Sequence, residues 1–268
     1  MSHALVDDDL WTRIEAVLPK RRPRNRQHAG RKPIPDRAGL TGILFVLRSG
    51  IPWKTLPKEM GCGSGTCWRS LVKWQRAGVW KRLHRVLLTE LRHRGQLDLA
   101  RAVVDSSSLR ALRARKKTGP NPTDRRKAGS KHHVLTDANG IPVVARLTSA
   151  NRHDVTQLLP LVDGIPLLGG RPGRPLRKPG LVQGDRAYDS HPHRDELQRR
   201  GIATQLAKRW RPHGSGLGRT RWVVERTLAW LHRFRRLNLR YERHPCVHEA
   251  FLALACAMVC WNFLKSVS

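Results

Sequence analysis

Apolar positions keep helical spacing through the first third of the chain and then change to short runs alternating with helical stretches. Behind the Asp7 to Asp9 cluster, which suits a helix N-terminus, Leu10, Trp11, Ile14, Val17 and Leu18 share one face until Pro19 stops the helix. A second helix opens near Asp36, carries Leu40, Ile43, Leu44 and Leu47, and ends at Gly50. From Pro52 to Gly78 the pattern predicts a short helix, a turn rich in glycine (Gly61, Gly63, Gly65), and a helix with Trp68, Leu71, Val72 and Trp74 inward. The outer face of that helix offers Arg69, Lys73 and Arg76, as in a helix-turn-helix whose second helix enters the major groove; an ordinary helical hairpin is the alternative. A helix from Gly78 to His93, with Val79, Trp80, Leu83, Val86, Leu87 and Leu91 inward, completes an all-α domain over residues 1–95.

Residues 96–268 read as a second, α/β domain. Leu99 to Asp105 is an apolar strand ending in a carboxylate. The segment Ser108 to His132, with nine Lys and Arg and one acid, reads as too polar to pack. His132 to Asp137 and Ile141 to Leu147 flank Asn139-Gly140, a strong hairpin signal. A helix that begins near Asn151 to Asp154 and carries Val155, Leu158, Leu159, Leu161 and Val162 follows, then a Gly/Pro/Arg-rich loop and a second strand, Gly180 to Asp185, again ending in Asp. A helix over 189–200, a strand at Ile202 to Leu206, a glycine-rich linker and helices over 219–237 and 247–264 end the chain. Three strands with a hairpin, helix, strand, helix, strand and helices is the order of a ribonuclease H-like domain, a mixed sheet flanked by helices, although alternation alone fits many α/β folds.

Charge narrows the functional classes. Lys and Arg number 52 against 20 Asp and Glu, giving +32 and a pI near 11.6, which calls for a polyanionic partner. Arg supplies 39 of these cations, and its planar fork pairs with phosphate through two parallel hydrogen bonds. An anionic membrane is the competing polyanion, but membrane anchors concentrate charge on one helix or tail, whereas here it runs from residue 20 to 243. Seven cations between Pro19 and Lys32 suit either a solvated linker or an arm on phosphate. The acidic N-terminus does not read as a secretory signal, and Ala250 to Trp261 is too short to span a bilayer and reads as a buried helix. Five cysteines without a C-x2-C pair read as buried thiols in a cytosolic protein.

In so basic a chain each isolated acid is informative. Cutting a phosphodiester needs an in-line nucleophile and stabilised equatorial oxygens, and a carboxylate-bound pair of Mg²⁺ ions serves both. Asp105 and Asp185 each follow an apolar strand, and strand carboxyl ends are where sites form in open α/β sheets; capping is the structural alternative. Glu225 is the only acid between Glu196 and Glu242, among ten Lys and Arg from Lys208 to Arg240, and helical spacing turns it partly inward; pairing with Arg221 is its alternative role. Asp137, Asp154 and Asp189 suit turn and helix-capping positions. Adjacent His132 and His133 point to opposite strand faces, poor geometry for chelation. Trp222 reads as a core residue, with stacking on an unpaired base as the other reading.

Val103-Val-Asp105-Ser-Ser, the run from Asp124 to Pro142, Gly184-Asp185-Arg-Ala-Tyr-Asp189 and Arg219-Thr-Arg-Trp-Val-Val-Glu225-Arg-Thr together resemble bacterial insertion-sequence transposases of the IS-five family. Leu10-Trp-x2-Ile-x3-Leu-Pro19, Ile51-Pro-Trp-Lys-x-Leu-Pro57 and Trp74-x5-Trp80 are similar to the helical domain that precedes that catalytic core, so the likeness covers nearly the whole chain. The resemblance implies a DDE triad of Asp105, Asp185 and Glu225 binding Mg²⁺, with Mn²⁺ as a substitute. It further implies duplex DNA substrates, namely terminal inverted repeats and a target, handled by a homo-oligomer. The related signature places Tyr, Arg, Glu and Lys along one helix; Arg221 and Glu225 match, but Gly218 and His232 stand in the Tyr and Lys slots. Phosphate contacts are therefore expected from His232, Arg226 and Arg233 beside Arg221, from Arg115, Lys116 and Lys117, and from Arg69, Lys73 and Arg76. The rivals are a nuclease of the same fold that cleaves without joining, and a non-catalytic DNA-binding protein or element relic.

Overall fold

The computed structural model describes residues 5–20, 33–112, 116–210, 216 and 218–266. The cationic segment 21–32, Arg115 and most of the glycine-rich linker lie outside them.

Four helices come first: α1 (Asp8–Val17), α2 (Asp36–Ser49), α3 (Ser64–Arg76) and α4 (Val79–His93). Asp7 caps α1, its Oδ1 accepting from the Leu10 amide at 2.8 Å. Gly50 ends α2 at φ 73°, where a Cβ would also stand 2.9 Å from the Arg235 Cβ, so both conformation and close approach require glycine. The short helix expected before α3 is instead a pair of 3-10 turns, Trp53–Thr55 and Lys58–Met60, each preceded by a proline. Two inward assignments fail: Trp68 on α3 and Val86 on α4 are exposed, and Leu88 is buried instead.

The sheet contains β1 (Arg101–Ala111), β2 (Gly119–Pro120), β3 (Ala128–Thr136), β4 (Pro142–Ser149), β5 (Leu181–Gly184), β6 (Ala203–Leu206) and β7 (Leu239–Arg240). Its main path is β4-β3-β1-β5-β6, with β3 antiparallel to β1 and β4, and β5 parallel to β1 and β6. The interleaved helices are α5 (Leu158–Asp163), α6 (His191–Arg199), α7 (Gly218–Arg233) and α8 (Pro245–Lys265). A three-stranded antiparallel meander followed by parallel strands on the far side of β1 is the ribonuclease H-like arrangement. The helix expected to begin near Asn151 to Asp154 starts as the 3-10 turn Asp154–Gln157 and becomes α-helical only at Leu158.

β1 does not stop at Asp105, and the following segment is not unpacked. Ser106, Ser107 and Ser108 continue the ladder opposite His133, His132 and Lys131, and Gly129 and Ser130 open β3. Polar side chains are tolerated there because they find partners. Arg240, fully buried, donates to the carbonyls of Lys116 and Lys117 at 2.8 Å each and to Ser130 Oγ at 2.8 Å.

α8 is long and apolar enough to cross a membrane by length and composition, but it is buried in the protein, against α4 and β4 on one side and α3 and α7 on others. One continuous apolar cluster therefore includes Leu10 of α1, Leu44 of α2, Trp80 of α4, Val104 of β1 and Phe251 of α8. A buried ionic group locks this junction. Arg236 Nε donates to Glu242 Oε1 at 2.7 Å, its Nη1 to the Ile51 carbonyl at 2.9 Å, and His248 Nδ1 lies 3.4 Å from Glu242 Oε2. Burial alone would raise the Glu242 carboxyl, but the His248 hydrogen bond and the Arg236 charge hold it below its usual value. Glu242→Ala, which strands Arg236 in a buried site, is expected to cost about 3–5 kcal/mol, read as a lowered urea midpoint at unchanged slope; an unchanged midpoint would show that the ionic group contributes nothing.

Candidate active site on the face of the sheet covered by helix α7

Strand register brings the first two carboxylates together. Val103 pairs with Gln183 across the parallel β1–β5 ladder, so Asp105 and Asp185, each two residues further on, reach the same face of neighbouring strands about 4.8 Å apart. That face is covered by α7: Val103 clusters with Val223 and Val224, and Gln183 Nε2 donates to Thr220 Oγ1 at 2.7 Å. Asp185 ends β5 by capping the 3-10 turn Arg186–Tyr188, its Oδ1 accepting from the Ala187 amide at 2.9 Å. Asp105 Oδ1 accepts from the Ser106 amide at 2.7 Å.

The third carboxylate arrives through an arginine. Arg221 Nη1 lies 3.1 Å from Asp105 Oδ2 and its Nη2 lies 2.5 Å from Glu225 Oε1, so one guanidinium bridges the sheet and one turn of α7. Glu225 itself is 52% exposed, not turned partly inward as helical spacing suggests, because Val223, Val224, Thr227 and Leu228 take the inner face. Burial, first of all, pushes the Asp105 carboxyl up from about 3.8 to about 6. The Ser106 amide and Arg221 oppose that rise, and the negative charges of Asp185 and Glu225 add to it. Asp105 therefore feels the charge of both other acids. Among the described residues no three His, Cys, Asp or Glu groups stand at metal-ligating spacing as placed. The donor set nevertheless suits a divalent cation: Asp105 and Glu225 share one guanidinium, Asp185 follows the neighbouring strand, and a hard ion prefers carboxylate oxygens of this kind.

Asp154 works differently from the helix cap that its position suggested. Its Oδ1 accepts from Ser106 Oγ at 2.8 Å and Lys131 Nζ at 3.0 Å, with His133 Nδ1 at 3.5 Å. It thus supports the strand residue next to Asp105, a role that the sequence signalled only as an acid near a helix start. Asp137 accepts from the amides of Asp98, Asn139 and Ile141, fixing the hairpin turn, and Asp189 pairs with Arg194. His132 and His133 face opposite ways, His132 Nε2 lying 2.8 Å from His248 Nε2 and His133 Nε2 2.8 Å from Thr148 Oγ1.

The remaining expected contacts separate into two groups. Arg69, Lys73 and Arg76 share one exposed face of α3, and Arg233 and Lys116 are exposed. Arg226, by contrast, lies between the rings of Trp222 and Trp230 at 4.5 Å from each and donates to the Asn139 carbonyl, so it anchors the hairpin. Trp222 is 47% exposed rather than core. His232 turns toward His132, ring centroids 6.2 Å apart, and Lys117 pairs with Glu249. Gly218 begins α7, where an added Cβ would meet nothing within 4 Å.

Residues 98–260 match the family model described as "Transposase DDE domain", and residues 6–84 match one described as "Putative transposase of IS4/5 family". A Burkholderia cepacia protein, "Putative transposase for insertion sequence element IS402", is 60% identical over 151 residues, 56% of this chain and 72% of the relative. "Insertion element IS402 uncharacterized 16.2 kDa protein" from the same organism is 56% identical over 123 residues, 46% of this chain and 84% of the relative. Among solved structures, "Mos1 transposase paired-end complex with left transposon end" is 11% identical at a TM-score of 0.27, covering 94% of this chain and 86% of that one, a superposition too loose to carry an argument.

Fold and family together define a metal-dependent enzyme that cleaves DNA and transfers the strands. The chain belongs to the transposase DDE domain family, as a transposase of an insertion sequence.

The raised Asp105 carboxyl yields a sign that can be checked without DNA or metal. Between about 3.8 and 6 the folded protein holds a proton that the unfolded chain has released, so this group's contribution to stability is present at low pH and is lost as pH rises through 6. Asp105→Asn is therefore expected to raise the metal-free Tm at pH 7.5, with the gain shrinking below pH 6. A Tm that falls equally at both pH values would contradict it.

Proposed function

We propose that Asp105, Asp185 and Glu225 are the catalytic, metal-holding triad, and that the chain binds the terminal inverted repeats of its element and a target duplex. The observation that carries the reading is the Arg221 bridge: one guanidinium gathers Asp105 and Glu225 on the face where strand register puts Asp185. Mg²⁺, with Mn²⁺ as a substitute, is the ion proposed; when bound, it would supply positive charge for the nucleophile and for the leaving oxygen. The chain's own residues perform the rest. Asp105 and Asp185 hold fixed positions on paired strands, Glu225 sits on an exposed helix turn free to move toward them, and Arg221 balances their charge and is placed to release toward a phosphate.

Residues 1–95 are proposed as the DNA-binding domain and 96–268 as the catalytic domain, with Arg69, Lys73 and Arg76 on the exposed face of α3 as the leading contacts. A homo-oligomer on DNA in the bacterial cytoplasm, associated with the nucleoid, completes the proposal.

Glu225→Gln is expected to abolish strand transfer in Mg²⁺ while binding to inverted-repeat duplex survives; retained joining in a gel assay would remove Glu225 from the mechanism. Replacing Arg69, Lys73 and Arg76 together by Ala is expected to make the slope of log affinity against log salt shallower by up to about 2.7, from about 0.9 per phosphate contact. An unchanged slope would take α3 out of the interface.

A further inference from the structure

Away from the carboxylates, a cleft of about 590 Å³ opens where β7 runs into α8 and faces the 3-10 turn Trp53–Thr55 and helix α3. Three of its walls are aromatic: Trp53, Trp68 and Tyr241. Trp68 and Tyr241 are each 38% exposed and, with Leu112, form a clustered apolar patch rather than scattered single side chains. Trp53 and Tyr241 are held in place from behind. Trp53 stacks on buried Phe251 with centroids 5.8 Å apart and planes at 21°, and the Arg236 guanidinium lies 4.9 Å from the Tyr241 ring centre. The cleft's charge is positive where it meets solvent. Lys54 and Arg243 are exposed on its rim, together with His244, whereas the lining acid Glu242 is buried and already paired with Arg236 at 2.7 Å.

We infer that this cleft is a second nucleic-acid site that receives an unpaired nucleotide of bound DNA, its base against Trp68 and Tyr241 and its phosphate beside Lys54 and Arg243. Aromatic faces backed by cations are what stacks and neutralises single-stranded nucleic acid. A matched duplex presents base edges and phosphates but no free base faces, and the volume lies in the ~300–1,000 Å³ range of small-ligand pockets, far short of a double helix. An apolar protein segment would leave two exposed cations unmatched at the rim. The cleft is separate from the acid cluster: Ala111 pairs with Arg240 beside it, six residues along β1 from Asp105, or about 20 Å. It adjoins the exposed cationic face of α3, so a duplex lying on Arg69 and Lys73 would pass its mouth. The inference rests on the DNA-binding reading proposed above.

The experiment compares three fluorescent probes at fixed salt: a matched duplex, the same duplex with one bulged 2-aminopurine, and free 2-aminopurine nucleoside monophosphate. Wild type is expected to bind the bulged duplex about tenfold more tightly than the matched one and to quench the 2-aminopurine by stacking. Trp68→Ala and Tyr241→Ala are expected to lose preference and quenching while keeping matched-duplex affinity and Tm, and Trp68→Phe to keep most of both. Failure to bind either duplex would overturn the DNA-binding reading itself. Salt-sensitive binding of both duplexes without preference or quenching would overturn only the cleft's role. Quenching of the monophosphate as strong as that of the bulge would mean a free nucleotide is the occupant and overturn the assignment to DNA.

Discussion

Three like charges cannot be gathered on one sheet face without something positive among them, and that constraint organises this molecule. Parallel register between β1 and β5 fixes Asp105 and Asp185 one strand apart, and Arg221 draws Glu225 to the same place from α7. The arginine does for the protein what a cation would do for the carboxylates, at one unit of charge. Asp105, still displaced upward to about 6 in spite of it, measures how incompletely a single guanidinium offsets burial and two neighbouring acids. On the proposed reading, a cation of greater charge density takes over this task and leaves Arg221 to pair with phosphate.

What holds the face in position is less visible than the acids. α7 is held to the sheet by Val223 and Val224 against Val103 and by Thr227 Oγ1, whose bond to the Gly140 carbonyl at 2.5 Å ties the helix to the hairpin turn. Arg226 repeats the tie one residue earlier, through Asn139 and two tryptophans. Three cations expected on DNA, Arg221, Arg226 and Lys117, are thus engaged within the protein, whereas Arg69, Lys73 and Arg76 on α3, Lys54 and Arg243 on the rim of the aromatic cleft, and Arg233 on α7 are exposed. Net charge predicted a polyanionic partner correctly as chemistry but could not say which cations were free to meet one.

The sequence was most legible where local rules act alone. Asp7 and Gly50 marked helix ends, Asn139-Gly140 marked the hairpin, and the order of strands and helices pointed to the ribonuclease H-like sheet. It was least legible where distant residues decide. Ser108 to His132 looked unpackable because the buried donors of Arg240 and the carboxylate of Asp154, which pair with Ser130 and Lys131, lie elsewhere in the chain. Glu225 looked half-inward because spacing reports a helix face without saying which side meets the sheet; its pairing with Arg221, the alternative that the sequence offered, is present. Trp68 looked like core because an aromatic at helical spacing usually is; only the two proline-led 3-10 turns that replace a helix leave its ring in a cleft.

Those separate failures share a cause with functional meaning. Local consistency breaks where a side chain is kept for something other than packing, and two of the breaks here carry chemistry: at the acids with their arginine, and at the exposed rings with their cations. Both lie on surfaces joined to one apolar cluster through α8, which touches α3, α4 and α7 alike. α8 thus packs the helix proposed to meet DNA and the helix that carries Glu225 against the same apolar core, so neither can be repacked without disturbing a neighbour of the other.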